Sequence, residues 1–524
     1  MPDNLPRAAD ANNQAPRPPD PPPPLPLRPA DAITVILMPD SIPQQPRTKL
    51  VVTLGPATDD PQTLDRLIGA GADVFRLNFS HGTLEQHAEI LQRLRSAAAA
   101  ANQPVAILGD LGGPKIRLGE IDEGTEGGLR IETGQRLVIQ REPILGAAGR
   151  VSTNYPRFVD EVAVGHRVMI DDGTVRFLAV EREDDAVICQ CTDGGLLRDR
   201  KGVNLPDTDL SIPSLTDHDR RCVDWSVQQG LDYLALSFVR SEQAMHELRS
   251  LLAESAPHIH LVAKIEKPEA LQRIDAIIEA SDVIMIARGD LGVEMDLAEV
   301  PIIQKDLIRR CRAAGKPVIV ATQMLQSMVQ SPTPTRAEAS DVANAVYDGA
   351  DALMLSGETA VGVHPVLAVR TMAHIADEIE ADLLHTDSKY GTPPPSAGDT
   401  HAALARAARQ MAADMKVKLV VAWSASGRMA RVISKCRPHV PVVAVCGDQA
   451  VLRRMSLYYG VRPHWMQVPD NLNDLTLDVD DLLRQRHLAE TGDRILILGG
   501  TALGAPGQSN ALVLHEVGRR RPTA

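Results

Sequence analysis

The chain has 524 residues, 44% hydrophobic and 23% charged, with a formal net charge of −13. That length suggests about three globular domains, and the acidity argues against nucleic acid or anionic membrane as partners. Aromatics at 3% leave no base-stacking platform, the six Cys include no CxxC pair, which excludes a disulfide scaffold and suits a reducing cytoplasm, and no apolar run reaches the ~20 residues of a membrane span.

Residues 1–46 carry 14 of the 38 prolines. Proline removes backbone donors and favours extended, solvated chain, so this segment is expected to be a disordered extension and not a secretory signal. The run ITVILM (33–38) is the exception, expected as a short edge strand.

From Lys49 a rhythm begins. Apolar, β-branched runs recur as KLVVTL (49–54), ADVFRLNF (72–79), VAILGDL (105–111), LDYLALSF (231–238), HLVAKIE (260–266), DVIMIARGD (282–290), PVIVATQ (317–323) and ADALMLS (350–356). Each has the length of a buried parallel strand. Helix-period stretches such as DDPQTLDRLIGAG, with acids in its first turn, and AEVPIIQKDLIRRCRAAGK separate them. Eight strands alternating with helices predict an α/β fold, a TIM barrel over 47–114 and 215–384.

The gap between the third and fourth runs is too long for one crossover. It reads as short strands, LRIETGQRLVIQ, HRVMIDDGTVRFLAVE and DDAVICQCTDGG, with hairpin turns expected at DDG (171–173) and TDGG (192–195). An inserted all-β lid domain is predicted over 115–214. After 385, KLVVAWSASG, PVVAVCGD and RILILGGTALG predict a three-stranded C-terminal α/β domain, with helices such as HAALARAARQMAADM between them.

A TIM barrel places its chemistry at the C-terminal ends of its strands. Those ends offer Arg76, Asn78, Ser80, Asp110, Ser237, Phe238, Lys264, Glu266, Arg288, Asp290, Thr322, Ser356 and Glu358. Charges inside apolar strands are costly unless paired or metal-bound. Lys264 and Glu266 are two apart and share a face. Glu266 with Asp290 gives two carboxylates and open positions, a pattern that suits Mg²⁺. Gly289 allows close approach of a ligand to backbone. The site described is one for an anionic, phosphorylated substrate.

Longer stretches carry a resemblance: RTKLVVTLGPAT (47–58), FRLNFSHG (75–82), GPKIR (113–117), KGVNLP (201–206), AKIEKPEAL (263–271), IARGDLGVE (286–294), ATQML (321–325) and PTPTRAEASDVANAVYDGADALMLSGETA (332–360). In this order they resemble the pyruvate kinase family. The resemblance implies transfer of the phosphoryl group of phosphoenolpyruvate to ADP in glycolysis, giving ATP and pyruvate. It implies Mg²⁺ (or Mn²⁺) on Glu266 and Asp290. Arg76 would hold the phosphoryl group, and Lys264 would stabilise charge on it and on the enolate. Gly289 and Asp290 would cradle the substrate carboxylate, and Thr322 would lie on the proton route.

The resemblance further implies nucleotide binding at Asn78, His81, Arg117 and Lys201, and a monovalent-cation site at Asn78, Ser80, Asp110 and Leu111. Family members with Lys in place of Glu in the GPEIR motif are indifferent to K⁺, and this chain has Lys115, so K⁺ is expected not to be required. SASGRMAR (424–431) resembles the effector loop, with Ser424, Ser426, Gly427 and Arg428 as candidates for a sugar phosphate or nucleotide. It departs from the family pattern at Trp423 and Met429. GGTALGAPGQSN (499–510) resembles the Gly-rich loop beside it. A cytoplasmic homotetramer is the family's common form. The alternatives are an inactive relative kept for regulation or binding, and another phosphoenolpyruvate-using barrel such as a dikinase. The first would need loss of Arg76, Lys264, Glu266, Asp290 or Thr322, and the second lacks room for its extra domains.

Overall fold

The computed structural model describes residues 45–122, 127–147, 149–385, 399–500, 503 and 509–519. The expected extension and its strand at 33–38 lie outside them, as does most of the Gly-rich loop at 499–510. Described on its own, the unit from Gln44 to Ala524 is built around a closed barrel.

All eight apolar runs become barrel strands: Lys49–Thr53, Val74–Asn78, Ala106–Leu111, Tyr233–Leu236, His260–Ile265, Val283–Ala287, Val318–Ala321 and Ala352–Leu355. Each pairs in parallel with its neighbours in chain order, and the last closes onto the first. Alternate residues face opposite sides of a strand. Val51, Val74, Leu108, Ala235, Val262, Met285, Ile319 and Met354 fill the interior, while Leu50, Phe75, Ile107, Leu234, Leu261, Ile284, Val320 and Leu353 pack under the surrounding helices.

Local sequence starts and stops those helices. Thr83 with Gln86, Thr216 with Asp219, and Thr335 with Glu338 form reciprocal capping boxes. Gly230 and Gly349 end two of these helices in the left-handed conformation. The helix expected to carry acids in its first turn instead starts at Pro61, with Asp60 just outside it as the cap. A side-chain oxygen there satisfies an orphan N–H, which an acid within the turn does not do.

Between Leu111 and Tyr233 lies a six-stranded sheet in the order Val203–Asn204, Arg167–Ile170, Val175–Arg182, Ala186–Asp193, Arg136–Gln140, Arg150–Ser152. The DDG hairpin forms, with Asp171, Asp172 and Gly173 all at positive φ. TDGG does not form one. Strand Ala186–Asp193 runs straight into Gly195–Leu197, which leaves the sheet to pair with Leu129–Ile131. A Cβ on Gly194 would come within 2.7 Å of the Ile131 carbonyl oxygen, so this glycine serves a close crossing of chains.

The C-terminal sheet has five strands, two more than expected, in the order Val461–Trp465, Val442–Cys446, Leu419–Trp423, Arg494–Gly499, Ala511–Glu516. The last is antiparallel. The two missed strands are its edges. VRPHW is interrupted by proline, and ALVLHE is only partly covered; an edge needs no continuous apolar run.

This domain covers the N-terminal end of the barrel. Tyr233 Oη donates to the Arg454 carbonyl at 2.6 Å. Arg453 pairs with buried Asp232 at 2.9 Å, and buried Lys435 pairs with buried Asp351 at 2.6 Å. The other end of the barrel is left for chemistry.

Candidate active site

Strand parity builds the site. Arg76 follows Val74 on the inward face, Asp110 follows Leu108, and Lys264 follows Val262. The lower layers are apolar and the top layer is charged. Arg76 Nε donates to Asp110 Oδ2 at 2.6 Å and its Nη1 donates to Thr53 Oγ1 at 3.1 Å. Lys264 Nζ stands 2.9 Å from Glu266 Oε1, 3.3 Å from Asp110 Oδ1 and 2.7 Å from Ser237 Oγ. Glu266 Oε2 accepts the Phe238 N–H at 2.7 Å, which holds Phe238 at φ +55°.

Burial alone would favour neutral groups here, and the mutual charges override it. Asp110 is pushed up by burial, but Lys264 and Arg76 more than offset that and hold its carboxyl below the ordinary range. Lys264 is pushed down by burial, yet Asp110 and then Glu266 raise it above an ordinary lysine. Both stay charged, as an electrostatic site requires.

Asp290 was expected at a strand end. The sixth strand stops at Ala287, and Asp290 stands in the first turn of the helix Arg288–Glu294. Its carboxyl is pushed up to about 6, by burial first and then by the Glu266 charge. Two carboxylates repelling each other on a buried rim form a place short of positive charge, and a divalent cation fits it. Among the described residues no three His, Cys, Asp or Glu side chains gather as a metal cage. A divalent cation held by this pair would need further oxygen ligands from outside the protein, a mode that suits Mg²⁺.

Thr322 stands beside the helix turn that carries Asp290. Its backbone is left-handed, φ +67°, and so is that of Gln323, φ +54°. For a β-branched residue this costs about 1–3 kcal/mol and marks a constrained position. Thr322 Oγ1 accepts the Gly289 N–H at 2.7 Å and donates to the Ala321 carbonyl at 2.6 Å.

Comparison with known proteins bears on this arrangement. The family model "Pyruvate kinase, barrel domain" matches residues 45–369, and "Pyruvate kinase, alpha/beta domain" matches 402–515. The chain belongs to the pyruvate kinase family. It is 42% identical to a pyruvate kinase of Agrobacterium vitis over 475 residues, covering 90% of this chain and 97% of that one. It is 41% identical to one of Geobacillus stearothermophilus, covering 90% and 80%, and 40% identical to one of Methylorubrum extorquens, covering 90% and 98%.

The positions that pyruvate kinase resemblance assigns to nucleotide fall into two groups. Asn78 and His81 line a cavity of about 420 Å³ together with Thr53, Pro56, His87 and Arg93. Arg117 and Lys201 stand on the inserted domain instead. The Arg117 guanidinium donates to the Arg200 carbonyl at 3.1 Å, and Lys201 pairs with Asp171 at 2.9 Å. Of the other lining residues, Pro56 lies within the motif RTKLVVTLGPAT, while His87 and Arg93 belong to no quoted motif and meet the cavity only through the fold.

The candidate monovalent-cation positions lie close together at the ends of the second and third strands. Asn78 Oδ1 accepts the Ser80 N–H at 3.2 Å, Asp110 holds Arg76 and Lys264, and Leu111 is buried. Lys115 packs against Gly202, where a Cβ would lie 2.8 Å from its Cε, and its charge reaches Asp290.

In the candidate effector loop, Ser424 is buried and its Oγ accepts the Ala430 N–H at 3.2 Å. Gly427 is left-handed, φ +83°, Ser426 is exposed, and Arg428 pairs with Asp399 at 3.3 Å. Met429 is buried and Trp423 Nε1 donates to the Leu503 carbonyl at 2.8 Å. Ser356 and Glu358 serve the scaffold: Glu358 accepts the Leu325 and Ser356 N–H groups.

Proposed function

We propose that this protein transfers the phosphoryl group of phosphoenolpyruvate to ADP on the open rim of the barrel. The observation that supports it most is the meeting of Arg76, Asp110, Lys264 and Glu266, from the ends of three strands, with Asp290, from the helix turn after a fourth, in one largely buried cluster of alternating charge. Phosphoryl transfer asks a protein for position and fixed charge, with little covalent chemistry.

Glu266 and Asp290 would hold Mg²⁺ or Mn²⁺, which when bound draws charge from the substrate's phosphoryl and enolate oxygens. Arg76 orients the phosphoryl group and is itself oriented by Asp110 and Thr53. Lys264, kept charged by Asp110 and Glu266, meets the negative charge that grows as the enolate leaves. Gly289 and Asp290 present the helix turn to the substrate carboxylate. Thr322 stands on the proton route to the enolate carbon. ADP occupies the cavity lined by Asn78 and His81, with Arg117 and Lys201 brought by the inserted domain. The same reading includes a sugar phosphate or nucleotide effector at Ser424, Ser426, Gly427 and Arg428, and a cytoplasmic homotetramer. Among the described residues no helix is long and apolar enough to cross a membrane.

A catalytically silent relative is not favoured, since Arg76, Lys264, Glu266, Asp290 and Thr322 are all present. The test is a lactate-dehydrogenase-coupled assay with phosphoenolpyruvate, ADP and Mg²⁺, repeated with chelator and with Glu266→Gln. Turnover abolished by chelation and lowered at least 100-fold by the substitution is expected. No pyruvate from the native chain would sink the reading.

A further inference from the structure

Arg288 has no part in the roles given above, yet its guanidinium is nearly enclosed, with the side chain 10% exposed. Its Nη1 donates to Asp341 Oδ1 at 2.7 Å, and its Nη2 lies 2.7 Å from Asp341 Oδ2. This two-pronged pairing fixes the plane of the fork. The fork then reaches two further groups. Nη2 donates to the Thr322 carbonyl at 3.1 Å and lies against Met324 Sδ, while Nη1 approaches Gln304 Oε1 at 3.4 Å.

Thr322 is therefore held from both ends by two consecutive residues. Its carbonyl is held by the side chain of Arg288 and its hydroxyl by the backbone N–H of Gly289. The backbone it is held in is one that a β-branched residue avoids. Relaxing it would swing Oγ1 away from the Gly289–Asp290 turn.

We infer that Arg288 is a positioning residue for the proton-transfer step: through the Thr322 carbonyl it keeps Thr322 left-handed and so fixes Oγ1 beside the turn that carries Asp290. This rests on the reading of Thr322 as part of the proton route. Asp341, on the helix Arg336–Asp348, orients the fork. The device registers the hydroxyl and the carboxylate of Asp290 against one rigid element, so the two cannot drift separately. A lysine could supply the charge but not the fork that serves Asp341 and Thr322 together.

The experiment compares Arg288→Gln, Arg288→Lys, Thr322→Val and the double variant Arg288→Gln/Thr322→Val in the full chain. Two rates are read: phosphoryl transfer from phosphoenolpyruvate, and exchange of pyruvate methyl protons with D₂O by NMR in the presence of Mg²⁺ and inorganic phosphate. Arg288→Gln should slow proton exchange by roughly 10–100-fold, the scale of an ångström-level misplacement. KM for phosphoenolpyruvate should move less than about threefold, as for a group that does not bind substrate directly. Arg288→Lys should recover little. The double variant should be no slower in exchange than Thr322→Val alone, because both changes act on one hydroxyl.

If Arg288→Gln exchanges at the native rate, or its effect multiplies with that of Thr322→Val, the positioning role is overturned while the proton role of Thr322 stands. If Thr322→Val itself exchanges at the native rate, the proton role fails and takes the inference with it. Should Arg288→Gln not fold, Asp341→Asn frees the fork without removing it, and the same outcomes apply at smaller amplitude.

Discussion

Lys264 and Asp110 stand on barrel strands separated by a third, yet Nζ lies 3.3 Å from Oδ1. Asp110 also holds Arg76, so one carboxylate places two cations that the reaction would use for different oxygens. Ser237, just past the end of the strand between them, completes the Lys264 shell with its Oγ at 2.7 Å. Lys264→Met should cut turnover by roughly 10²–10³, the scale for loss of one preorganised charge donor. KM for phosphoenolpyruvate should change much less. Steady-state kinetics checks this, and a variant within about tenfold of native turnover would remove Lys264 from the chemistry.

Lys115 brings a positive charge to the Asp290 side of the site, and the resemblance implies that it would stand in for a monovalent cation. Activity with Mg²⁺ is expected to be nearly unchanged when K⁺ is replaced by a bulky organic cation at equal ionic strength. Lys115→Glu should lower activity without K⁺ and regain part of it with K⁺. Strong activation of the native enzyme by K⁺ would contradict this.

The chain that enters the first barrel strand is anchored at Arg47 and Thr48. Buried Glu380 accepts the Arg47 N–H, the Thr48 N–H and the Thr48 hydroxyl, each at 2.6 Å. Glu380→Ala strands two backbone donors and should cost about 2–4 kcal/mol in urea unfolding. From their proline-rich composition, removal of residues 1–30 is expected to leave Tm and turnover unchanged. A Glu380 variant as stable as native would show that this anchor contributes little.

His464, on the edge strand of the C-terminal domain, is pushed down to about 4, by burial first and then by the Arg486 and Arg462 charges. An unfolded imidazole takes its proton near pH 6.5. Between about pH 6.5 and 4 the unfolded chain therefore binds more protons, and this group's contribution to stability is lost as pH falls. His464→Gln should shrink the drop in unfolding midpoint between pH 7 and pH 5. A drop as large as that of the native chain would rule out His464 as a source of acid sensitivity.

Much of this was legible in the sequence because burial imposes it. Strands enclosed on both faces must be apolar along their whole length, so all eight barrel strands announced themselves, and Arg76, Asp110 and Lys264 stood out as charges that such strands should not carry. The edge strands Val461–Trp465 and Ala511–Glu516 were not legible, since half-solvated backbone does not demand an apolar run. TDGG read as a hairpin because glycine permits tight turns and close crossings alike, and only its partners distinguish them.

The sequence by itself determined the barrel, the inserted and C-terminal domains, the family, and which side chains carry charge toward the rim. Those follow from periodicity and local motif, which act over a few residues. Only the tertiary structure decided that Asp110 serves two cations, that Asp290 stands on a helix turn, and that Arg288 and Gly289 hold Thr322 from both ends. The first and last are contacts between residues 30 or more positions apart. Their geometry depends on strand register and helix placement, and a residue's type fixes neither.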